Sequence, residues 1–250
     1  MAADDRRREI LRRLQIDGYL EAAALSRDLG VDASTIRRDL DALARSGQAE
    51  RTHGGARSTI GAPNDIPYAV KEGERRHEKI AIARAAAAEV RDGQTVVLDS
   101  GSTTFQIALE LRHKHEITII TNDLRIGKYA ATLPSVRLLV TGGELLGSVF
   151  TLVGERSVDF LSDYSADWAF LGADAIDPTA GITNTNTLEI PVKRAMIRAA
   201  DRSIVVADSS KFGARALARV ATLDEVDRII TDRQQAIDRV ADYGPTVTFA

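Results

Sequence analysis

The chain has 250 residues, of which 44% are hydrophobic and 28% are charged, with a formal net charge of -3. This length and composition predict two globular domains, each with enough apolar residues to bury a core. The chain contains no cysteine, which excludes disulfide bonds and thiol catalysis. No apolar run approaches the length of a membrane-spanning helix, and the first residues lack the basic and apolar regions of a signal peptide, so we expect a soluble cytoplasmic protein.

The first 57 residues show the pattern of three short helices followed by a hairpin. Ile10, Leu11 and Leu14 predict the apolar face of a first helix. An alanine-rich second helix is predicted from Glu21 to Leu29, and Gly30 ends it.

A third helix is predicted to begin at Asp32, whose carboxylate can cap its N-terminus. Ile36, Leu40 and Leu43 recur at helical spacing and predict one buried stripe. Hydroxyl and guanidinium side chains lie off this stripe, namely Ser34, Thr35, Arg37, Arg38 and Arg45. Such a helix fits the major groove of DNA, where Arg pairs with guanine and Ser or Thr bonds base edges or phosphates.

The segment Arg51-Thr52-His53-Gly54-Gly55-Ala56 predicts a hairpin with a glycine turn, as in the wing of a winged helix-turn-helix. An ordinary solvated helix face is the alternative, since most helices that bear arginine are only that. Net charge does not decide between the two, because residues 1–57 hold eleven arginines against ten acidic residues. The prediction of DNA binding therefore depends on where the arginines are placed.

Residues 58–72 are predicted to be a linker, because Pro63 and Pro67 stand among polar residues that disfavour regular structure. Residues 74–90 predict a helix, which Gly93 stops.

From Thr95 onward strands alternate with helices, which predicts a parallel sheet covered on both faces and hence an α/β domain over residues 73–250. The predicted strands are 95–98, 117–121, 136–140, 168–171, 204–207 and 229–231. The predicted helices are 103–111, 124–133, 155–162, 189–200 and 234–241. In such a sheet, ligands bind at the carboxyl ends of the strands.

The first of these strand ends, Asp99-Ser100-Gly101-Ser102-Thr103-Thr104, opens a helix and combines hydroxyls with small residues. Backbone N–H groups can approach a ligand closely there, and a helix N-terminus favours an anion, so the segment is a candidate phosphate site. It is neither a Walker loop nor a dinucleotide-binding fingerprint. A plain Ser or Thr helix cap is the alternative interpretation.

The other strand ends are also polar or glycine-rich, and together they suit a polyol that bears a phosphate. Their candidate ligand-binding residues are Asn122, Gly142, Gly143, Asp174 and Lys211. Either Lys193 or Lys211 would neutralise a phosphate as a point charge. We rank Lys211 higher because it directly follows a strand end, whereas Lys193 lies within a helix, where we expect a lysine to face solvent.

Both halves of the sequence resemble the DeoR family of bacterial transcriptional regulators. The matching residues in the N-terminal half are 33–40 and the hairpin residues 51–56. Those in the remainder are 98–104, 121–122, 141–143, 170–174, 193–196 and 207–213. The resemblance implies a regulator, by family tendency a repressor, whose C-terminal domain resembles the ribose-5-phosphate isomerase fold. It also implies that this domain senses a phosphorylated sugar or related metabolite, and that binding it changes operator affinity.

We therefore predict a regulator of a carbohydrate operon that binds double-stranded DNA as at least a homodimer, with no catalytic residue, metal or cofactor. The candidate DNA-binding residues are Ser34, Thr35, Arg37, Arg38, Arg45, Arg51, His53 and Gly54. The candidate effector-binding residues are Asp99, Ser100, Gly101, Ser102, Thr103, Thr104, Asn122, Gly142, Gly143, Asp174, Lys193 and Lys211.

Two alternatives remain open at this point. One is a catalytic sugar-phosphate isomerase, but the related enzymes carry an Asp-Gly-Ala-Asp-Glu run, of which the first Asp is Leu171 here and the Glu is Ala175. Glu189 is the remaining candidate base. The other alternative is a DNA-binding protein whose larger domain only oligomerises.

Overall fold

The computed structural model describes residues 3–17, 19–46, 48–58, 68–147, 149–232, 237, 240–244 and 247–250. The chain divides into two compact units, one comprising residues 1–73 with 146–149 and the other residues 74–145 with 150–250. No helix within the described ranges is long and apolar enough to cross a membrane.

The N-terminal unit combines helices with a small antiparallel sheet. Its elements are α1 (Ala3–Asp17), β1 (Tyr19–Glu21), α2 (Ala22–Leu29), α3 (Ala33–Arg45), β2 (Ala49–Thr52), β3 (Gly55–Ser58) and α4 (Tyr68–Gly73). The strand order in the sheet is β1-β3-β2. The predicted three helices and hairpin are confirmed by α1 to α3 and by β2 with β3. Strand β1 was not predicted, because three residues are too few to show the alternating pattern of a strand.

Helix α4 lies in the last part of the segment 58–72, for which the sequence predicts no regular structure. Residues 59–67 of the predicted linker lie outside the described residues.

A shared apolar core holds the helices of the N-terminal unit together. Ile36, Leu40 and Leu43 of α3 are buried with Ile10 and Leu14 of α1 in one cluster. The predicted stripe is therefore confirmed as the buried face of α3.

The ends of α2 and α3 follow the signals in the sequence. Gly30 adopts a φ of 61° after α2, a left-handed conformation that glycine accepts without steric cost. The carboxylate of Asp32 accepts a hydrogen bond of 2.7 Å from the backbone N–H of Ser34 and so caps α3. Hydrogen bonds from the side chain and backbone of Ser34 hold the pKa of Asp32 below its usual value.

The buried carboxylate of Asp39 joins α3 to α1. Its side chain is 3% exposed, and it accepts hydrogen bonds from Nε of Arg6 at 2.5 Å and from Nε of Arg7 at 3.0 Å. A carboxylate is tolerated in a protein interior only when it is paired. The contact therefore gives Asp39, a member of the motif in α3, a role in packing.

The remainder of the chain forms an α/β domain. Its strands are β4 (Thr95–Leu98), β5 (Ile117–Thr121), β6 (Val136–Val140), β7 (Glu144–Leu146), β8 (Thr151–Val153), β9 (Ala166–Leu171), β10 (Ala175–Asp177), β11 (Gly181–Asn184), β12 (Ala200–Val206), β13 (Ala218–Ala221), β14 (Arg228–Thr231) and β15 (Val247–Phe249). Its α-helices are α5 (Arg76–Glu89), α6 (Ser102–Glu110), α7 (Leu124–Ala130), α8 (Glu155–Ser162) and α9 (Ile190–Arg198). The main sheet is parallel, with the order β15-β14-β12-β9-β4-β5-β6.

The six predicted strands are confirmed as β4, β5, β6, β9, β12 and β14. The unpredicted strands form the edge strand β15, the antiparallel sheet β10-β11-β13 and the pair β7-β8, and each has only three or four residues. The helix predicted over 189–200 ends at Arg198, and β12 begins at Ala200. Most of the helix predicted over 234–241 lies outside the described residues, and Val240–Tyr243 forms a 3-10 turn.

The strand order of the main sheet reverses beside β4. Strands β5 and β6 lie on one side of β4, whereas β9 and the later strands lie on the other. In open parallel sheets the crevice at the carboxyl ends of the strands at such a reversal is where ligands bind. The loops after β4 and β9 border this crevice, and they begin at Asp99 and Gly172.

We expect the substitution Asp39→Ala to lower the free energy of unfolding by about 3 kcal/mol, because it leaves the buried Arg6 without its carboxylate. Asp28→Ala is the control, since Asp28 pairs with Arg13 at 3.3 Å but its side chain is 59% exposed. Loss of such a surface pair costs at most about 1 kcal/mol. Denaturant unfolding followed by circular dichroism measures the free energy of unfolding of both variants. Equally small losses in the two variants would contradict the packing role of Asp39.

Candidate DNA-binding surface and effector site

Helix α3 presents its arginines to solvent. Arg37, Arg38 and Arg45 are exposed and form no hydrogen bond or ion pair with any described residue. Ser34 is exposed beside them, and Thr35 is half-buried. Unpaired guanidinium groups on one helix match the phosphates and guanine edges that line the major groove.

The hairpin of β2 and β3 exposes His53 and Gly54 at its tip. Gly54 has a φ of +94°, which favours glycine in this turn. Gly55 is buried, and a Cβ atom there would lie 2.1 Å from the backbone oxygen of Leu20. The two glycines therefore satisfy two different needs, a left-handed turn and a close approach to β1.

The arginines of the hairpin are paired, in contrast to those of α3. Nε of Arg51 lies 2.8 Å from Oδ1 of Asp41 in α3, and its side chain is 33% exposed. Arg57 forms an ion pair with Glu50 on the neighbouring strand at 2.6 Å. The carboxylates already compensate both charges within the N-terminal unit.

Asp99 and Lys193 form a buried ion pair at the carboxyl end of β4, with 1% and 2% of their surfaces exposed. Oδ2 of Asp99 accepts hydrogen bonds from Nζ of Lys193 and, at 2.9 Å, from the N–H of Gly172. Nζ of Lys193 also donates to the carbonyl of Gly172 at 3.0 Å. The expectation that Lys193 faces solvent is wrong, because α9 directs it to partners that satisfy its charge.

The buried Lys193 remains protonated. Burial alone lowers its pKa, but the carboxylates of Asp99, Glu189 and Asp174 outweigh burial and raise the pKa above its ordinary value. The ammonium group therefore neutralises Asp99 between two strand ends.

Asp123 follows β5 and connects the loop after β4 to α7. Its Oδ1 accepts hydrogen bonds from the N–H groups of Arg125 at 2.7 Å and Ile126 at 3.1 Å. Its Oδ2 accepts from Oγ of Ser100 at 3.1 Å and from the N–H of Gly101 at 3.3 Å. Burial raises the pKa of Asp123 to about 6 in spite of these bonds. Asp123 is not among the predicted effector-binding residues, although an Asp directly before a predicted helix is a preferred cap.

Part of the predicted phosphate loop is occupied by contacts within the protein. The hydroxyl of Ser100 donates to Asp123 and accepts a hydrogen bond of 2.5 Å from Thr151. The hydroxyl of Thr104 donates to the carbonyl of Gly101 at 2.9 Å. These groups shape the loop and are not free to bind a ligand in this arrangement.

Ser102 and Thr103 are the residues of this loop whose hydroxyls remain free. Each is 8% exposed, and neither hydroxyl has a hydrogen-bond partner in the described part of the chain. They begin the nine-residue helix α6, so their backbone N–H groups also lack partners within the helix. The loop can therefore offer hydroxyl and amide donors to an anion at this point.

Three further candidates lie where β5 and β6 meet the segment of β8 and α8. Asn122 is buried, and its Nδ2 donates to a carbonyl of β8 at 3.1 Å. The carbonyl of Gly142 accepts a hydrogen bond of 2.5 Å from Oγ of Ser157. A Cβ atom on Gly143 would lie 2.3 Å from the carbonyl oxygen of Val153. Packing accounts for Gly143, whereas Oδ1 of Asn122 is buried without a hydrogen-bond partner among the described residues.

Asp174 lies near the buried pair, whereas Lys211 stands apart from it. Oδ2 of Asp174 accepts a hydrogen bond of 2.9 Å from the N–H of Thr185, and its charge acts on Lys193. Lys211 ends the 3-10 turn Ser209–Lys211 after β12 and is half-buried. Its side chain forms no hydrogen bond or ion pair with the residues that the structure describes.

We expect Asp123 to make the fold less stable as the pH rises. Because folding raises its pKa from 3.8 to about 6, the folded state binds the proton more tightly, and this stabilisation is lost as the pH rises through the folded value. From about pH 4.5 to about pH 7.5 the loss from this group amounts to about 2 kcal/mol. The stability difference between wild type and Asp123→Asn, measured by denaturant unfolding at both values, reports it. A difference that does not change with pH would contradict the burial of this carboxylate.

Two protein-family models match different parts of the chain. The model of the DeoR C terminal sensor domain matches residues 74–233, and that of the DeoR-like helix-turn-helix domain matches residues 6–60. The chain is 30% identical to the Glycerol-3-phosphate regulon repressor of Escherichia coli strain K12, covering 93% of this chain and 92% of that protein. It is 33% identical to the Transcriptional repressor AccR of Agrobacterium fabrum, covering 92% and 90%.

A ribose 5-phosphate isomerase from Methanocaldococcus jannaschii aligns with 56% of this chain and 55% of its own, at 20% identity and a TM-score of 0.41. The assignment rests on the two family models, whose matches include α3, the hairpin and the loop after β4. The chain belongs to the DeoR family of transcriptional regulators.

Proposed function

We propose that this protein is a repressor of a carbohydrate operon that binds double-stranded operator DNA as a homo-oligomer, at least a dimer, and is controlled by a phosphorylated sugar. Two relatives named as repressors, one of them of a glycerol-3-phosphate regulon, support the proposal. We assign DNA binding to residues 1–57, the linker to 58–72, and effector binding and oligomerisation to 73–250. We place the protein in the cytoplasm with its DNA.

The observation that carries DNA binding is the set of exposed and unpaired arginines on α3. The opposite face of this helix is fixed in the core by Ile36, Leu40 and Leu43. The helix therefore presents guanidinium groups from a rigid support, which is how recognition helices reach base edges. His53 and Gly54 at the hairpin tip are placed to contact the DNA backbone.

The start of α6 is the best-supported site for the effector's phosphate. The loop lies where the strand order reverses, and the free hydroxyls of Ser102 and Thr103 stand beside free helix N–H groups. A helix N-terminus stabilises negative charge through its dipole and its unpaired N–H groups. The neighbouring carboxylate of Asp99 does not oppose an anion strongly, because Lys193 neutralises it.

For the cationic partner of the phosphate we retain Lys211 ahead of Lys193. The ammonium group of Lys193 is held by Asp99 and by the carbonyl of Gly172. That of Lys211 has no partner among the described residues and follows a strand end of the same sheet. A free ammonium can form a charge-assisted bond to phosphate without first breaking a buried pair.

We infer that the protein is not a sugar-phosphate isomerase. Leu171 and Ala175 are buried apolar residues at the end of β9 and the start of β10. The isomerases that the sequence resembles carry acidic residues at these two positions. Glu189 accepts a hydrogen bond from Asn184 at 3.1 Å and interacts with Lys193, which ties it to the interior.

The decisive experiment measures binding of the full-length protein to DNA upstream of its own gene, with and without each member of a panel of sugar phosphates. Specific binding that one sugar phosphate alters supports both parts of the proposal. Binding that no phosphate alters would leave a DNA-binding protein whose larger domain only oligomerises. Turnover of ribose 5-phosphate in a ketose assay would instead favour the isomerase.

We expect Arg37→Ala and Arg38→Ala each to weaken operator binding without lowering the thermal unfolding temperature, because neither side chain forms a hydrogen bond or ion pair with a described residue. A base-contacting arginine should cost about 1–3 kcal/mol and relax sequence preference, whereas a phosphate contact should flatten the salt dependence. Fluorescence anisotropy titrations at several salt concentrations distinguish a base contact from a phosphate contact. Arg84→Ala, which removes an exposed charge from α5, is the control. Binding that both α3 variants leave unchanged would remove α3 as the reader.

We expect the double variant Ser102→Ala, Thr103→Val to bind operator DNA normally but to lose most of its response to the effector, because the two free hydroxyl donors at the start of α6 are removed. Ser162→Ala at the exposed end of α8 is the control. Calorimetric titration with the cognate sugar phosphate measures the change, and wild-type affinity in the double variant would place the phosphate elsewhere.

We expect Lys211→Met to weaken the effector about tenfold to a hundredfold, the range for one charge-assisted hydrogen bond at 1.4 kcal/mol per decade. Lys128→Met on α7, an exposed lysine, is the matched control. Equal affinities for these two variants in the same titration would show that hydroxyls and amides hold the phosphate without Lys211.

A further inference from the structure

The guanidinium group of Arg51 connects three parts of the DNA-binding unit. Arg51 lies on β2, and its Nε forms an ion pair with Oδ1 of Asp41 on α3 at 2.8 Å. Its Nη1 donates to the backbone carbonyl of Gly55, where β3 begins. One planar group therefore holds the recognition helix and the far strand of the hairpin at a set distance.

Backbone contacts hold the turn of the hairpin and the start of β3 against α2 and β1. The N–H of Ala22 at the start of α2 donates to the carbonyl of Gly54 at 2.9 Å. Gly55 is paired with Glu21 of β1 and packs too closely against Leu20 to admit a side chain. With this side fixed by the backbone, the Arg51 ion pair adds a polar link between the hairpin and α3 to the apolar packing of Ala49 and Ala56.

Arg51 differs from the arginines of α3 in charge as well as position. Its side chain is one-third exposed, and the carboxylate of Asp41 already compensates it. Arg37 and Arg38 are exposed and have no such partner in the described part of the chain. An arginine that must leave a carboxylate to reach a phosphate gains less binding free energy than an arginine with no ion pair, because it has to break its own ion pair first.

We propose that Arg51 is a positioning residue that sets the wing relative to the recognition helix through Asp41 and Gly55, and that it does not contact DNA itself. The proposal rests on DNA binding by α3 and revises the sequence-based assignment of Arg51 as a DNA contact. It predicts that loss of the guanidinium misplaces His53 and Gly54 without removing a contact to phosphate.

Salt dependence separates positioning from contact, because removing one phosphate contact reduces the slope of log affinity against log salt by about one. The experiment measures operator binding by full-length wild type, Arg51→Ala, Arg51→Lys and Asp41→Ala across salt concentrations, with Arg37→Ala as the contact reference. We expect Arg51→Ala to bind operator DNA about tenfold more weakly, which is within the range of interaction energies between residues in contact. The salt slope should be unchanged, and the unfolding temperature should stay near that of wild type.

Arg51→Lys and Asp41→Ala are expected to behave differently if Arg51 positions the wing than if Arg51 contacts DNA. Lysine keeps the charge but cannot reach Asp41 and Gly55 with one planar group, so Arg51→Lys should remain weak. Asp41→Ala should also weaken binding, although it removes a negative charge from a DNA-facing helix. A reduced slope for Arg51→Ala, rescue by lysine, tighter binding by Asp41→Ala, or wild-type affinity of Arg51→Ala would each overturn the proposal. Unchanged binding of Arg37→Ala would instead count against α3 as the reader.

Discussion

The buried ion pair between Asp99 and Lys193 is the contact on which the arrangement of the effector domain depends. A lysine that is 2% exposed keeps its charge only where a carboxylate and a carbonyl replace water. Here these groups come from the ends of β4 and β9, the strands between which the order of the sheet reverses. The pair therefore ties together the two loops that border the crevice and anchors α9 beneath them.

The same contacts narrow the region that a ligand can use. Asp123 takes hydrogen bonds from Ser100 and Gly101, so the loop after β4 is stabilised from two sides, by Lys193 through Asp99 and by α7 through Asp123. Groups that the sequence offers as ligand donors are thereby used to hold the loop in shape. The free donors at the start of α6, the proposed phosphate site, remain, and the contacts of Asp99 and Asp123 hold the loop that leads to them.

Local patterns were sufficient to predict much of the fold. The stripe of Ile36, Leu40 and Leu43 predicts the buried face of α3 because one helix carries the whole signal. The six predicted strands of the parallel sheet contain short apolar runs, and their ends mark the edge where the polar residues gather.

The remainder depends on partners that are distant in the chain. Lys193 is buried only because Asp99, 94 residues away, meets it. Asp39 likewise belongs to the core only because Arg6 and Arg7 of α1 reach it. The short strand β11 pairs with β13 across a long separation, and strands of three or four residues carry no period by which to recognise them.

Pairing of charges also explains how a nearly neutral segment can present a basic surface. Residues 1–57 hold eleven arginines and ten acidic residues. Their net charge is therefore close to zero and by itself argues against a nucleic-acid partner. The arginines held in ion pairs are Arg6, Arg7, Arg8, Arg12, Arg13, Arg51 and Arg57. Of the four that have no ion pair among the described residues, three lie on α3. The acids thus neutralise α1 and the hairpin, where the arginines support packing, and leave the positive charge concentrated on the helix that is placed to meet DNA.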